Sequence, residues 1–233
     1  MTRWRKPSAY ARWGAGQTWL IAEVLHGLAH TALENLDPAA AAPLRSCFRR
    51  FFEGQYREIL PRKTQSRREA VDLAMERTGA LVQACLVAPA LLGRRSYVKP
   101  LFTLGEHLGT AMQLGDDIWD FVGDPRIMGK PILGDLLNGQ PNIVLAHALG
   151  RKTGADKRVL LRWYGRGPQA SPANPAHIVA ALTRLGSLQY AQRVVEQHLA
   201  CARDALQDVR ACRPRRVLES FLDLTDCLFT GVS

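Results

Sequence analysis

What this sequence lacks narrows its reading first. No apolar run is long enough to cross a bilayer, and a stretch such as Ala80–Gly93 stops well short of the ~20 residues a spanning helix needs. The N-terminus, Met1-Thr2-Arg3-Trp4-Arg5-Lys6, is basic but has no apolar segment behind it of the signal-peptide kind. No segment alternates apolar and polar residues as a half-buried strand hairpin does, and neither an internal repeat nor a low-complexity linker is visible. The five cysteines, Cys47, Cys85, Cys201, Cys212 and Cys227, form no CxxC pair and are odd in number. That argues against a disulfide framework and for a reducing compartment, so the cytoplasm is expected. No basic helix is interleaved with aromatics, and nucleic acid is not an expected partner.

Helix is what is present. With 233 residues, 47% hydrophobic and 22% charged, the chain can bury a sizeable core. Apolar positions recur at helical spacing through 16–33, 40–60, 67–92, 98–122, 132–149, 176–210 and 214–229. Breakers separate these stretches at Asp37-Pro38, Pro61, Gly93-Arg94-Arg95, Gly123-Asp124-Pro125 and a surface loop over 165–175. The expectation is one all-α domain over 1–233. A balance of 31 Lys and Arg against 21 Asp and Glu gives a net +10, spread over pairs such as Arg49-Arg50, Arg62-Lys63, Arg67-Arg68 and Arg215-Arg216. Such a surface attracts anions, whether lipid headgroups or phosphorylated small molecules, or is simply well solvated.

The most informative stretch is Met112-Gln113-Leu114-Gly115-Asp116-Asp117-Ile118-Trp119-Asp120-Phe121, at the end of a long apolar helix. Asp116, Asp117 and Asp120 follow Gln113 by three, four and seven residues, which puts all four polar side chains on one helical face. Carboxylates so close repel one another, and at a helix C-terminus they also oppose the macrodipole. A cation is the natural compensation. All-oxygen ligands favour a hard ion, and carboxylates shared with substrate phosphates are how Mg²⁺ is commonly held. The competing reading is a solvated acidic helix end. Downstream, Gly129-Lys130 and Asp135 follow a short loop that lets a lysine and a fourth acid reach back over the same face, Lys130 binding phosphate as a compact point charge.

Gln113–Phe121 resembles the second aspartate-rich motif of the trans-isoprenyl diphosphate synthases, F-Q-x-x-D-D-x-x-D, with Met112 in place of the usual Phe. Gly129-Lys130 and Asp135 resemble the glycine-lysine and aspartate that follow it. Arg77-Thr78-Gly79-Ala80-Leu81 is similar to a Lys-Thr-Gly-Ala-Leu segment, and Gly54-Gln55 to a Gly-Gln pair on an earlier helix. Trp19–Leu25 resembles the family's Ile-Leu-Ala-Gly-Asp-Ala-Leu helix, and Arg3–Ser8 its Arg-Arg-Gly-x-Pro-Thr turn. The resemblance implies an all-α bundle of the isoprenoid synthase type, shortened at its N-terminus. It implies Mg²⁺ on Asp116, Asp117, Asp120 and Asp135, and diphosphate on Gln55, Arg77, Thr78, Gln113 and Lys130. The implied reaction condenses an allylic diphosphate with isopentenyl diphosphate, with Asp116, Asp117, Lys130, Arg77 and Thr78 as the catalytic set.

Departures from that pattern keep other readings open. The first aspartate-rich motif, which in the family precedes the Arg-Arg-Gly turn, does not occur; Asp223 and Asp226 are isolated acids. The resemblance then implies that upstream helices come from another chain, that the start site cuts them off, or that this is a non-catalytic subunit of a heteromeric synthase. Trp4 replaces the turn's second arginine and Gln140 a second lysine, which tilts towards a class I terpene cyclase. Uncovered apolar faces on 16–33 and 98–122 are expected to drive homo- or hetero-oligomerisation. Phe51, Phe52, Leu81, Cys85 and Met112 are candidate cavity walls. Glu23, His26 and His30 share one helix face at a spacing that suits a metal but lack a full ligand set.

Overall fold

The computed structural model describes residues 2, 3, 6–60, 66–93 and 95–230, the first two by backbone alone. Trp4 and Arg5 of the N-terminal turn, the breaker Pro61, and Arg62, Lys63 and Arg94 lie outside the described residues. The chain opens on a two-residue antiparallel ladder, β1 (Thr2–Arg3) with β2 (Lys6–Pro7), in which Thr2 faces Pro7 and Arg3 faces Lys6. Among the described residues, every regular element after it is helical.

Side-chain caps start half of the α-helices among the described residues. α1 (Ala9–Glu34) begins where the Ser8 hydroxyl accepts from the Ala11 N–H, and it kinks at Gly14, whose φ of 73° lies in the left-handed region. α2 (Pro38–Ile59) is capped by Asp37, so the Asp-Pro pair read as a breaker is a helix start. α3 (Arg67–Ala74) carries a full capping box between Ser66 and Glu69. It runs through a π-turn, Met75–Gly79, into α4 (Ala80–Leu92). α5 (Val98–Val122) and the short α6 (Pro125–Met128) follow. The stretch 132–149, read as one helix, is two: α7 (Gly134–Asn138) and α8 (Ile143–Leu149), separated where Gly139 turns left-handed and Asn142 caps anew. α9 (Ala155–Trp163) had no clear periodic signal. Gly186, with φ 67°, divides 176–210 into α10 (Pro175–Arg184) and α11 (Ser187–Gln207), before α12 (Arg213–Thr230).

α5 is the centre of the fold and packs chiefly against α11 and α4. Its Leu104, Leu108, Ala111, Leu114, Ile118 and Phe121 are buried in the main core with Val195, Leu199 and Leu222. Each such large side chain contributes ~1.5–3 kcal/mol of burial. Gly105 and Gly109, one turn apart, let α4 and the π-turn approach α5: a Cβ at either would lie 2.5 Å from Gln83 Cα or the Thr78 carbonyl oxygen. A second core joins Leu33, Leu44 and Cys47 to Val87 and Leu91. Of the two faces expected to lack cover, only the first does. On α1 just Leu33 is buried, and Trp19, Leu20, Val24, Leu25 and Leu28 are each at least 60% exposed. The face of α5 is covered by α4 and α11, and its glycines Gly105 and Gly109 admit α4 and the π-turn closely. No helix among the described residues is long and apolar enough to cross a membrane.

Candidate active site

The C-terminal half of α5 supplies the acidic face that the spacing predicts, and the structure divides its members between two kinds of environment. Asp117 and Asp120 are buried, at 6% and 2% exposure. Asp117 Oδ2 accepts from the Ile143 N–H at 2.8 Å, and its Oδ1 accepts from Gln113 Nε2 at 3.2 Å. Gln113 Oε1 in turn accepts from Thr78 Oγ1 at 2.7 Å, so a relay runs from the π-turn through α5 to the first turn of α8. Asp120 accepts from the Gly134 N–H (3.1 Å) and the Asp135 N–H (3.0 Å), while its own carbonyl takes the Leu133 N–H (2.6 Å). These bonds hold Leu133 at φ 68°, the one positive φ outside glycine among the described residues. A side chain fixed in that region signals a surrounding structure that over-determines it.

Asp116 differs. Its carboxylate is half exposed and meets only Lys130 Nζ, at 3.0 and 3.3 Å. Lys130 thus reaches back over the acidic face as its place in the loop predicts. Asp135 enters at the start of α7, where its Oδ2 accepts from Asn142 Nδ2 at 2.7 Å. Arg77, in the π-turn, pairs with Glu58 of α2 at 2.5 Å; both side chains are largely buried, and Arg77 Nε has no hydrogen-bond partner. Gly54 makes room for this arrangement, since a Cβ there would press on Arg77 Cγ at 2.8 Å. Gln55, beside it, is half-buried on α2.

Crowding and burial set the charge state. Burial raises the pKa of Asp117 well above the usual carboxylate range, and the nearby Asp135 adds to it. Burial, then Asp135, pushes Asp120 up to about 7. Asp135 is raised too, by burial first, while Asn142, Lys130 and Arg77 pull the other way. Burial opposes the charge on Lys130, but Asp116, Asp120 and Asp135 outweigh it and raise its pKa. The four acids and two cations therefore feel one another across a single site. Among the described residues, however, no three acid, histidine or cysteine side chains gather into a metal-holding group. Asp117 and Asp120 have both oxygens engaged by N–H donors. The donor set still suits Mg²⁺, which needs only one or two carboxylates beside substrate phosphates. Asp116, bonded to no backbone, and Asp135 are the residues able to hold it.

Of the candidate wall residues, Phe51, Phe52 and Leu81 line a cavity of about 170 Å³ together with His26, His30 and Phe48. Cys85 is exposed and Met112 packs into the main core, so neither joins that cavity. His26 meets the edge of Phe52 and sits 3.8 Å from Glu23; His30 lines the same cavity without completing a metal set. Asp223 and Asp226 are tied to Arg203, and Lys152-Thr153 lies in a loop. Three contributors escaped sequence reasoning. Asn142 joins Asp135 to the Asp117 carbonyl (3.0 Å) and caps α8, and an asparagine ahead of an apolar run was a visible capping signal. The π-turn and Glu58 left no such trace.

The sequence pattern of the polyprenyl synthetase family matches residues 1–182. A short chain isoprenyl diphosphate synthase from Methanothermobacter thermautotrophicus is 27% identical over 228 residues, 94% of this chain and 69% of that one. A (2E,6E)-farnesyl diphosphate synthase from Mycobacterium bovis is 29% identical over 194 residues, 79% of this chain but only 54% of its own length. This chain thus spans about half of that second relative. In fold, it resembles a polyprenyl synthase from Caulobacter crescentus, solved with calcium and isoprenyl diphosphate, with a TM-score of 0.82 at 23% identity over 97% of this chain and 69% of that one. An acidic α5 face, a lysine folded back upon it, an all-α isoprenoid synthase fold and a matching sequence pattern lead to one conclusion: the chain belongs to the polyprenyl synthetase family.

Proposed function

We propose that this protein is a prenyltransferase that condenses an allylic diphosphate with isopentenyl diphosphate. The observation that carries the proposal is the pairing of the half-exposed Asp116 with Lys130 above a buried, backbone-anchored row of acids. A carboxylate and a compact cation at the mouth of a rigid site are what recognition of a metal-bound diphosphate requires. That the Caulobacter relative binds calcium with isoprenyl diphosphate adds support from the fold.

In this reading Asp116 and Asp135 hold Mg²⁺, which when bound supplies positive charge against the diphosphate leaving group. Lys130 contacts a phosphate oxygen and shares that load. Arg77 faces the same site from the π-turn, its fork donor oriented by Glu58. Thr78 and Gln113 fix the Asp117 side chain, and Asp120 fixes the loop that presents Lys130 and Asp135. The apolar walls at Phe51, Phe52 and Leu81 take the prenyl chain and keep water from the allylic cation as the carbon–carbon bond forms. We further propose that the working enzyme is a homo- or hetero-oligomer. The exposed apolar side chains of α1 support this, and a second polypeptide carrying a DDxxD motif would complete the metal set.

The test is titration calorimetry with a non-hydrolysable allylic diphosphate analogue and Mg²⁺. Asp116→Asn should abolish Mg²⁺-dependent retention without lowering thermal stability, because Asp116 is half exposed and anchors no backbone. Unchanged affinity in that variant would sink the assignment.

A further inference from the structure

On α3, α8 and α11, away from the acidic row, a second polar cluster forms around the buried His147. Its Nδ1 lies 2.9 Å from Ser187 Oγ, and its ring stacks on Tyr190 with centroids 4.4 Å apart and planes 14° from parallel. Arg67, from the first turn of α3, lays its guanidinium over the same Tyr190 ring at 5.5 Å. Arg151, just past α8, and Arg193, one turn along α11 from Tyr190, add two further exposed guanidiniums. All three arginines bear on the His147 imidazole, whose pKa falls through burial first and then through Arg151, Arg67 and Arg193. None of the three has a carboxylate within salt-bridge reach among the described residues, although ten other arginines of the described chain do.

We infer that Arg67, Arg151 and Arg193 form a binding site for a phosphoryl anion, separate from the candidate active site and floored by the His147–Tyr190 stack. Three like charges on three different elements repel one another, and a folded chain keeps them together unpaired only at an energetic cost. A tetrahedral dianion removes that cost, because each planar guanidinium can offer two parallel N–H donors to it. The floor is rigid, since Ser187 fixes the imidazole and the imidazole fixes Tyr190, so Arg67 is already oriented over its ring. The Ser187 hydroxyl, at the start of α11, is a further polar group beside the stack. A free phosphorylated metabolite and an anionic lipid headgroup present the same chemistry, and the measurement separates them.

Inorganic phosphate is titrated into the full chain carrying Arg77→Gln and Lys130→Gln, which silences the candidate active site. Binding should persist in that background and weaken about tenfold for each guanidinium removed by Arg67→Gln, Arg151→Gln or Arg193→Gln. All three side chains are exposed and repel one another, so these variants should melt no lower than their parent. A triple lysine variant, which keeps the charge but loses the fork, should bind with intermediate affinity. Co-sedimentation with phosphatidylcholine vesicles, with and without phosphatidylglycerol, forms the second arm. Phosphatidylglycerol-dependent retention that the triple Gln variant loses, without binding of free phosphate, identifies a lipid headgroup as the source. Phosphate and vesicle binding both indifferent to the three arginines would overturn the inference and leave a solvated basic surface. Because the active-site cations are absent throughout, the result does not depend on whether the prenyltransferase reading stands.

Discussion

Gly109→Ala tests a close backbone-to-backbone approach at the centre of the fold. A Cβ at this position would lie 2.5 Å from the Thr78 carbonyl oxygen and 2.8 Å from Gly79 Cα. Both atoms are backbone, so no side-chain rotation relieves the clash and the π-turn must move away from α5. Overpacking of this kind costs about 3 kcal/mol. The better helix propensity of alanine offsets about 1 kcal/mol, leaving a net loss of about 2 kcal/mol. For a chain of this length each kcal/mol lowers Tm by about 2–4 °C, so a fall of about 4–8 °C is expected. Gly27→Ala is the control, since a Cβ there meets nothing within 4 Å and the site lies within α1. That variant should gain about 1 kcal/mol and raise Tm by about 2–4 °C. Calorimetric melts of both variants at equal protein concentration give the comparison. The displaced π-turn should also break the 2.7 Å bond from Thr78 to Gln113, visible as faster exchange of amides around Gln113. Equal Tm shifts of the same sign in the two variants would refute the close approach of α5 and the π-turn.

Three further outcomes follow from the same geometry. Asp120→Ala strips the Gly134 and Asp135 N–H groups of their acceptor, which should cost about 3 kcal/mol and open the 129–139 loop to proteolysis; an unaltered melt and cleavage pattern would contradict it. A double-mutant cycle on Arg77→Ala and Glu58→Ala should return a coupling of about 1–3 kcal/mol, so Arg77→Ala destabilises the fold as well as weakening diphosphate binding; zero coupling would show the ion pair to be incidental. His198 contacts His107 at 2.9 Å between α11 and α5, and burial, then His107, lowers its pKa from 6.5 to about 4, with Glu106 opposing. Above pH 6.5 the imidazole is neutral folded and unfolded and contributes nothing. As pH falls from 6.5 towards 4 only the unfolded chain takes the proton, so stability should drop by about 2 kcal/mol after allowance for partial exposure. His198→Gln should flatten that slope in urea melts, and an unchanged slope would assign the acid sensitivity to other groups.

Periodicity and punctuation reveal local geometry, and that is where the sequence reading succeeds. The spacing of Gln113, Asp116, Asp117 and Asp120 on one helix determines a shared face whatever the rest of the chain does, and Lys130 follows because only a short loop separates it from that face. The roles of those acids are another matter, since they depend on partners that arrive from elsewhere in the chain. Asp117 is buried against an N–H that α8 delivers 26 residues later, and Asp120 against N–H groups 14 and 15 residues on. Four acids that look equivalent as a motif are thereby sorted into buried anchors and a half-exposed carboxylate paired with Lys130, and no spacing rule distinguishes them. Arg77 meets the same limit: its partner Glu58 stands on a helix whose distance is set by Gly54, a residue with no side chain to signal the contact. The failures at 132–149 and 176–210 are of a different kind. Apolar periodicity continues across Gly139–Asn142 and Leu185–Gly186, because the residues on both sides face the same core. Backbone conformation breaks the helices there, at left-handed glycines whose neighbours still keep helical spacing. A hydrophobic pattern reports which side of a segment faces inwards. Where that segment bends is decided by capping chemistry, and in the candidate active site the bend after Gly139 is what brings Asn142 onto Asp135.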